Sequence, residues 1–142
     1  MKRIMSLMDE KNHYLEKFYA LNERELVNFM KDDFGNLEGF YETRERILEV
    51  IKYLDAQMEM AQNAQIQAGQ QPSVQQKRQI LEALTIKDEY VSRIIEQDLQ
   101  VLACIESAKN SIIRELQDIR KAKKAVGGYK APQFNHRLDE EA

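Results

Sequence analysis

The stretch "SVQQKRQILEALTIKDEYVSRIIEQDLQVLACIESAKNSIIRELQDIRKAKKAV" (residues 73–126) decides the fold of this chain. No proline or glycine interrupts it between Pro72 and Gly127. Leu84, Val91, Ile105, Ile112, Ile119 and Val126 fall on one heptad position, and Ile95, Leu102 and Leu116 on the complementary one, which is the pattern of a long amphipathic helix. Ser73 and Gln76 form an S-x-x-Q capping box ahead of the run, with Pro72 just outside it. At 1.5 Å per residue, about fifty residues give a helix on the order of 75 Å long. The helices expected upstream are about half that length. Part of the stripe is therefore expected to find its partner beyond the chain's own bundle. Asp88, Asp98, Lys109 and Lys123 interrupt the seam where a permanent coiled coil prefers Leu or Ile. Either they are flanking residues whose stems run past the seam, or they weaken the stripe so that it holds partners reversibly.

Upstream, "SLMDEKNHYLEKFYALNERELVNFMKDD" (residues 6–33) predicts a first helix over about 6–32. Leu15, Phe18, Tyr19, Leu26, Phe29 and Met30 recur at threes and fours and so share one side. Asp9 and Glu10 in the first turn would suit the helix dipole. "DDFGN" (residues 32–36) is a turn signal, with Gly35 able to take positive φ. A second helix is expected over about 37–66, where Ile47, Ile51, Leu54, Met58 and Ala61 form a heptad-like stripe. The glutamine-rich "AQNAQIQAGQQPSVQQ" (residues 61–76) reads as a frayed helix end plus connector. The third helix covers about 74–126. Residues 1–126 thus form one expected all-α domain, an elongated antiparallel helical bundle or coiled coil with one long C-terminal helix. Residues 127–142 form a short flexible or docking tail.

The composition agrees. The 142 residues include 32% charged residues, few glycines, two prolines and no tryptophan, a profile of helices and not of sheet. A net charge of −3 gives no strongly basic surface to pull in nucleic acid and no general affinity for anionic membrane. The single cysteine, Cys104, excludes an internal disulfide and suits a reducing cytosol. No apolar run of signal-peptide length follows the opening "MKRIMSLMDE", and no window reaches the ~20 apolar residues of a membrane span. A soluble cytoplasmic protein is expected.

The residues that carry chemistry elsewhere are missing or ordinary. No Glu-x-x-His pairs occur for a di-iron bundle, and no Gly-rich phosphate loop or nucleophile elbow is present. His13 with Glu16 reads as a solvated pair. Cys104 lies near the apolar stripe without a basic neighbour, as a buried structural thiol would. Carboxylates sit among lysines and arginines at helical spacing, where pairing explains them. The cluster Arg120–Lys124 complements the dipole at a helix C-terminus. No enzyme, cofactor or metal site is expected, and no nucleic-acid partner.

The chain closes with "IRKAKKAVGGYKAPQF" (residues 119–134), a basic segment followed by glycines and a tyrosine. Gly127 and Gly128 can end the helix and reverse the chain, and Pro132 keeps the tail from being helical. Tyr129, Phe134 and Leu138 then either lie in a disordered or turn-like tail or fold back as a cover on the stripe. This ending, with two shorter helices, a polar connector and a long third helix, resembles the flagellar type III export chaperones of the FlgN and FliT kind. The resemblance implies a cytosolic protein without catalytic activity that binds the C-terminal helical segment of a late flagellar substrate, a hook–filament junction or filament-cap protein. It would prevent premature polymerisation and deliver that substrate to the export apparatus. The implied partner-binding residues are Ile105, Ile112, Leu116, Ile119 and Val126, with Leu102 and Tyr129 completing the set. The alternative is a homo-oligomeric coiled-coil scaffold whose stripe is buried against its own copy.

Overall fold

The structure, a computed structural model, describes residues 1–127. It contains three α-helices, α1 (Lys2–Phe29), α2 (Leu37–Gln67) and α3 (Val74–Gly127), and no strand among the described residues. The chain divides into one compact unit over Met1–Val101 and a second that begins at Leu102.

The first unit is an all-α bundle. α1 starts at Lys2, several residues earlier than expected, because Ile4 and Leu7 are buried and carry the helix back to the start. Its first turn consequently holds no acidic residue, and Asp9 and Glu10 lie further along the helix. Leu15, Phe18, Leu26 and Phe29 are buried as their spacing predicts, joined by Leu21. Tyr19 is half-buried and meets Tyr90 edge-on at 6.2 Å. Met30, expected on the same side, is exposed, since the helix has already ended at Phe29.

The helix stops through a Schellman arrangement. The Asp32 N–H donates to the Phe29 carbonyl (3.1 Å), and the Asp33 N–H reaches back to Asn28 (2.9 Å). The residue in the left-handed region is Asp32, with φ of 60°, and not Gly35. A short acidic side chain tolerates that conformation better than most. Gly35 instead donates its N–H to Asp33 Oδ1 at 3.0 Å. The same motif ends α2, where Gly69 takes φ of 67° and the Gly69 and Gln70 N–H groups bond to the Ile66 and Gln65 carbonyls. Residues 61–67 of the glutamine-rich segment are thus helical, and the connector is shorter than the composition suggests.

α3 opens with the expected capping box. The Gln76 N–H donates to Ser73 Oγ (3.1 Å), and the Ser73 N–H donates to Gln76 Oε1 (2.9 Å). Ser73→Ala removes one of the two bonds and leaves a terminal N–H to water. It is expected to lower stability by about 1 kcal/mol in denaturant titration, with Ser73→Asp close to the parent.

Cross-helix contacts fix the directions. Asn12 meets Ala83, Tyr19 meets Tyr90 and Gln97, and Asn22 meets Asp98. Numbers rise together, so α1 and the first part of α3 run parallel. α2 runs against both, as Lys11–Asp55 (2.7 Å), Phe29–Phe40 (5.4 Å) and Arg44–Asp98 show. In α2 the buried seam is Phe40, Ile47 and Leu54, with half-buried Arg44, Ile51, Met58 and Ala61 between and beyond them. It continues the expected stripe one heptad earlier, to a fully buried Phe40.

In α3 the bundle uses a different row from the expected stripe. Ala83, Ile94, Gln97 and Val101 are buried, and Lys87 and Tyr90 are half-buried. Leu84, Val91 and Ile95, each one residue further on, are exposed. One residue is a rotation of about 100°, and both rows keep the four–three spacing, so periodicity alone cannot tell them apart. The smaller and more polar row fits the close approach of α1. Cys104, expected to be buried, is half-buried and free.

Candidate partner-binding face

Two sets of residues qualify as candidate sites, a polar cluster inside the first unit and the apolar stripe of the second. The polar cluster is built around Asp98. Its Oδ1 accepts from the Asn22 side-chain amide (2.9 Å) and from Arg44 Nη1 (3.0 Å), while Oδ2 accepts from Arg44 Nη2 (3.0 Å). The guanidinium also lies 5.0 Å from the centre of the Phe18 ring. A bidentate pair of this kind is geometrically specific as well as strong. Residues from all three helices meet at this one carboxylate. Asp98 is therefore a tie within the bundle and not a deliberate weakness in a binding stripe, which corrects one of the two accounts offered for it from sequence.

Glu25, almost fully buried, is a second internal anchor. It accepts from the side-chain amides of Asn36 (2.9 Å) and Asn28 (3.4 Å), with Arg24 Nε at 3.5 Å. Along the α1–α3 seam, Asn12 Oδ1, Asn22 Oδ1 and Gln97 Oε1 are buried with no donor among the described residues. None of these polar residues was singled out as buried by periodicity, which scores apolar spacing only. A charge three or four residues from an apolar neighbour gives no sign of whether it faces in or out.

A cleft between α1 and α2 is lined by Tyr14, Lys17, Arg24, Thr43 and Arg46 among others. Two of its three cations are engaged locally. Lys17 Nζ sits 5.0 Å above the Tyr14 ring, and Arg24 pairs with Glu25. His13 is exposed with its ring edge-on to Tyr14 at 5.8 Å. Among the described residues no group of three His, Cys, Asp or Glu side chains is placed to hold a metal ion. No helix among them is long and apolar enough to cross a membrane.

The second unit presents the stripe. Leu102, Ile112, Leu116, Ile119 and Val126 are each between 51% and 62% exposed, and Ile105 is half-buried. Tyr129, the last of the expected partner-binding residues, lies outside the described residues, as do Phe134, Leu138 and the proposed fold-back of the tail. The helix brings the other six into one row at four–three spacing. Ile113, 42% exposed, widens the row on one side and was not picked out from sequence, although it follows Ile112 directly. Lys109 and Lys123 fall within the row, and both are exposed.

Apolar side chains left this open on one continuous face exceed what scattered surface hydrophobes explain. Among its described residues the row carries aliphatic side chains and two lysines. It can take up a second helix, by knobs entering the holes between its own residues. The chain matches no family model, and no curated protein or solved structure is significantly similar to it.

Proposed function

We propose that this protein is a cytosolic export chaperone of the flagellar type III kind, without catalytic activity. It holds the C-terminal helical segment of a late flagellar substrate, a hook–filament junction or filament-cap protein, and passes it to the export apparatus. The observation that carries this reading is the row Leu102, Ile112, Leu116, Ile119 and Val126, exposed at coiled-coil spacing on a helix with no covering element among the described residues. The basic-then-glycine-tyrosine close of the sequence adds the resemblance to the family.

The mechanism is helix-in-groove recognition. An amphipathic cargo helix laid along the row buries four or five anchors, each worth about 1.5–3 kcal/mol before costs. Ordering and lost rotational freedom reduce this to micromolar-to-nanomolar binding. Lys109 and Lys123 place two cations within the contact. They favour a cargo helix carrying carboxylates at matching positions and keep the site from being a purely greasy one.

The test is a calorimetric titration of the full chain with synthetic C-terminal helices of the junction and cap proteins from the same organism. A Kd between about 10⁻⁹ and 10⁻⁵ M for one of them is the expected result. Failure of every such helix to bind at ten times that upper limit rejects the reading.

A further inference from the structure

We infer that residues 102–126 of α3 pair with the same residues of a second copy of this chain, antiparallel and centred on Arg114. This takes the stripe proposed above as a binding surface and names what occupies it when cargo is absent.

The choice of a second copy, and of its direction, comes from where the charges fall. In a parallel, in-register pair each seam residue meets its own equivalent. Lys109 would then face Lys109, and Lys123 would face Lys123, inside the contact. Reversing one helix about the level of Arg114 removes both clashes. Lys109 then lies across from Ile119 of the second copy, and Lys123 across from Ile105, where their stems cover apolar surface and their ammonium groups reach water. Leu102 faces Val126, and Ile112 faces Leu116. The remaining seam layers are apolar on both sides.

The flanks of this register also agree. Glu106 comes beside Arg120 of the second copy, and by the two-fold axis this pair occurs twice. Arg120 is half-buried, with its Nε atom covered and its charge set opposite Glu106 in this register. Ala108 lies beside Ala122 on the opposite edge, and two small residues there let the helices approach closely. Ile113 meets its own equivalent near the axis, which accounts for an exposed isoleucine outside the main row. The one adverse meeting is Glu115 with Glu115, on an edge where both carboxylates can turn to solvent. Seven apolar side chains from each copy (Leu102, Ile105, Ile112, Ile113, Leu116, Ile119 and Val126) enter one seam about 37 Å long.

Cysteine cross-linking of the full chain in a Cys104→Ser background tests the register. Leu102→Cys and Val126→Cys are made as separate proteins, oxidised alone and as a mixture at micromolar concentrations. The antiparallel pair places each of these positions about 36 Å along the axis from its own equivalent, so neither protein cross-links alone. The mixture is expected to give a disulfide-linked dimer. Self-cross-linking of either single protein would mean a parallel pair and overturn the inference. So would the absence of a cross-linked band from all three samples.

A charge swap supplies the second measurement, read by sedimentation of the full chain. Glu106→Arg and Arg120→Glu should each weaken the dimer several-fold, and the double variant should recover it. If the double variant is as weak as the singles, the register is wrong. Neither measurement uses cargo. A negative substrate titration therefore leaves this inference standing, and a negative cross-linking result leaves the cargo proposal standing.

Discussion

Ile112→Asp and Ile119→Asp, introduced together, are expected to abolish association through the stripe while leaving the protein folded. Both side chains are more than half exposed, and neither belongs to the core of the Met1–Val101 unit. On an exposed helix surface the change costs only a few tenths of a kcal/mol in propensity. In a partner contact the arithmetic is different. Two buried isoleucines contribute about 3–6 kcal/mol together, and the replacing carboxylates would have to be desolvated without partners. Affinity for a cargo helix, or for a second copy, should fall by about 10²- to 10⁴-fold or more. Circular dichroism should show an unchanged helix signal and melting curve. A double variant that unfolds would show instead that the stripe is internal core, and the binding proposal would lose its surface.

The opposite result is expected at Phe29. This ring is almost completely buried, stacked on Phe34 at 5.2 Å and met edge-on by Phe40 at 5.4 Å. Removing a buried Phe costs about 3–5 kcal/mol, and a carboxylate placed in that site adds several more. The sum rivals the whole stability of a small domain, about 5–15 kcal/mol. Phe29→Asp should therefore unfold the bundle at 25 °C, with loss of most of its circular dichroism and its cooperative melt. Leu15→Asp, in the same buried row, should behave alike. Phe29→Leu keeps an apolar fill and should melt lower but still cooperatively. Were Phe29→Asp to melt like the parent, Phe29 would not be part of a core joining α1 to the start of α2.

The contrast between these two experiments marks what was legible in the sequence. The three helices and the capping box at Ser73 followed from spacing and end signals, because each is a local property of the chain. The core of α1 and α2 followed as well, since bulky residues there face inward. Ile4 and Leu7 gave an unread signal, three residues apart, for an earlier start of α1. In α3 the same logic chose the wrong row for the bundle. The chain has two four–three rows side by side, and Leu84, Val91 and Ile95 of the more hydrophobic one stay exposed, although Asp98 on that row is tied into the bundle. Burial goes to the row that fits its neighbours, and here fit required Ala83 and Gln97. The inward turn of Asn22, Glu25 and Arg44 was not legible, because pairing across helices is decided by residues far apart in sequence. Asp32 in the left-handed region gives no signal of its own, since glycine is the residue that usually takes that conformation and Gly35 stands three residues away.

The parallel arrangement of α1 and the first part of α3 has a consequence for the order in which the chain assembles. The contact from Asn36 to Glu25 spans 11 residues, whereas that from Asn12 to Ala83 spans 71. Closing the longer loop costs more chain entropy, and its return is smaller, since Asn12, Asn22 and Gln97 supply polar atoms where the α1–α2 hairpin supplies Phe29 and Phe40. The hairpin should thus be in place at the folding barrier, with α3 settling afterwards. Phe40→Ala is expected to slow refolding in stopped-flow, while Asp98→Asn should chiefly speed unfolding. If both mutations act on the same limb of the kinetic plot, the order is not sequential. A nascent chain obeying it would hold a finished hairpin while its longest helix was still free to meet other chains.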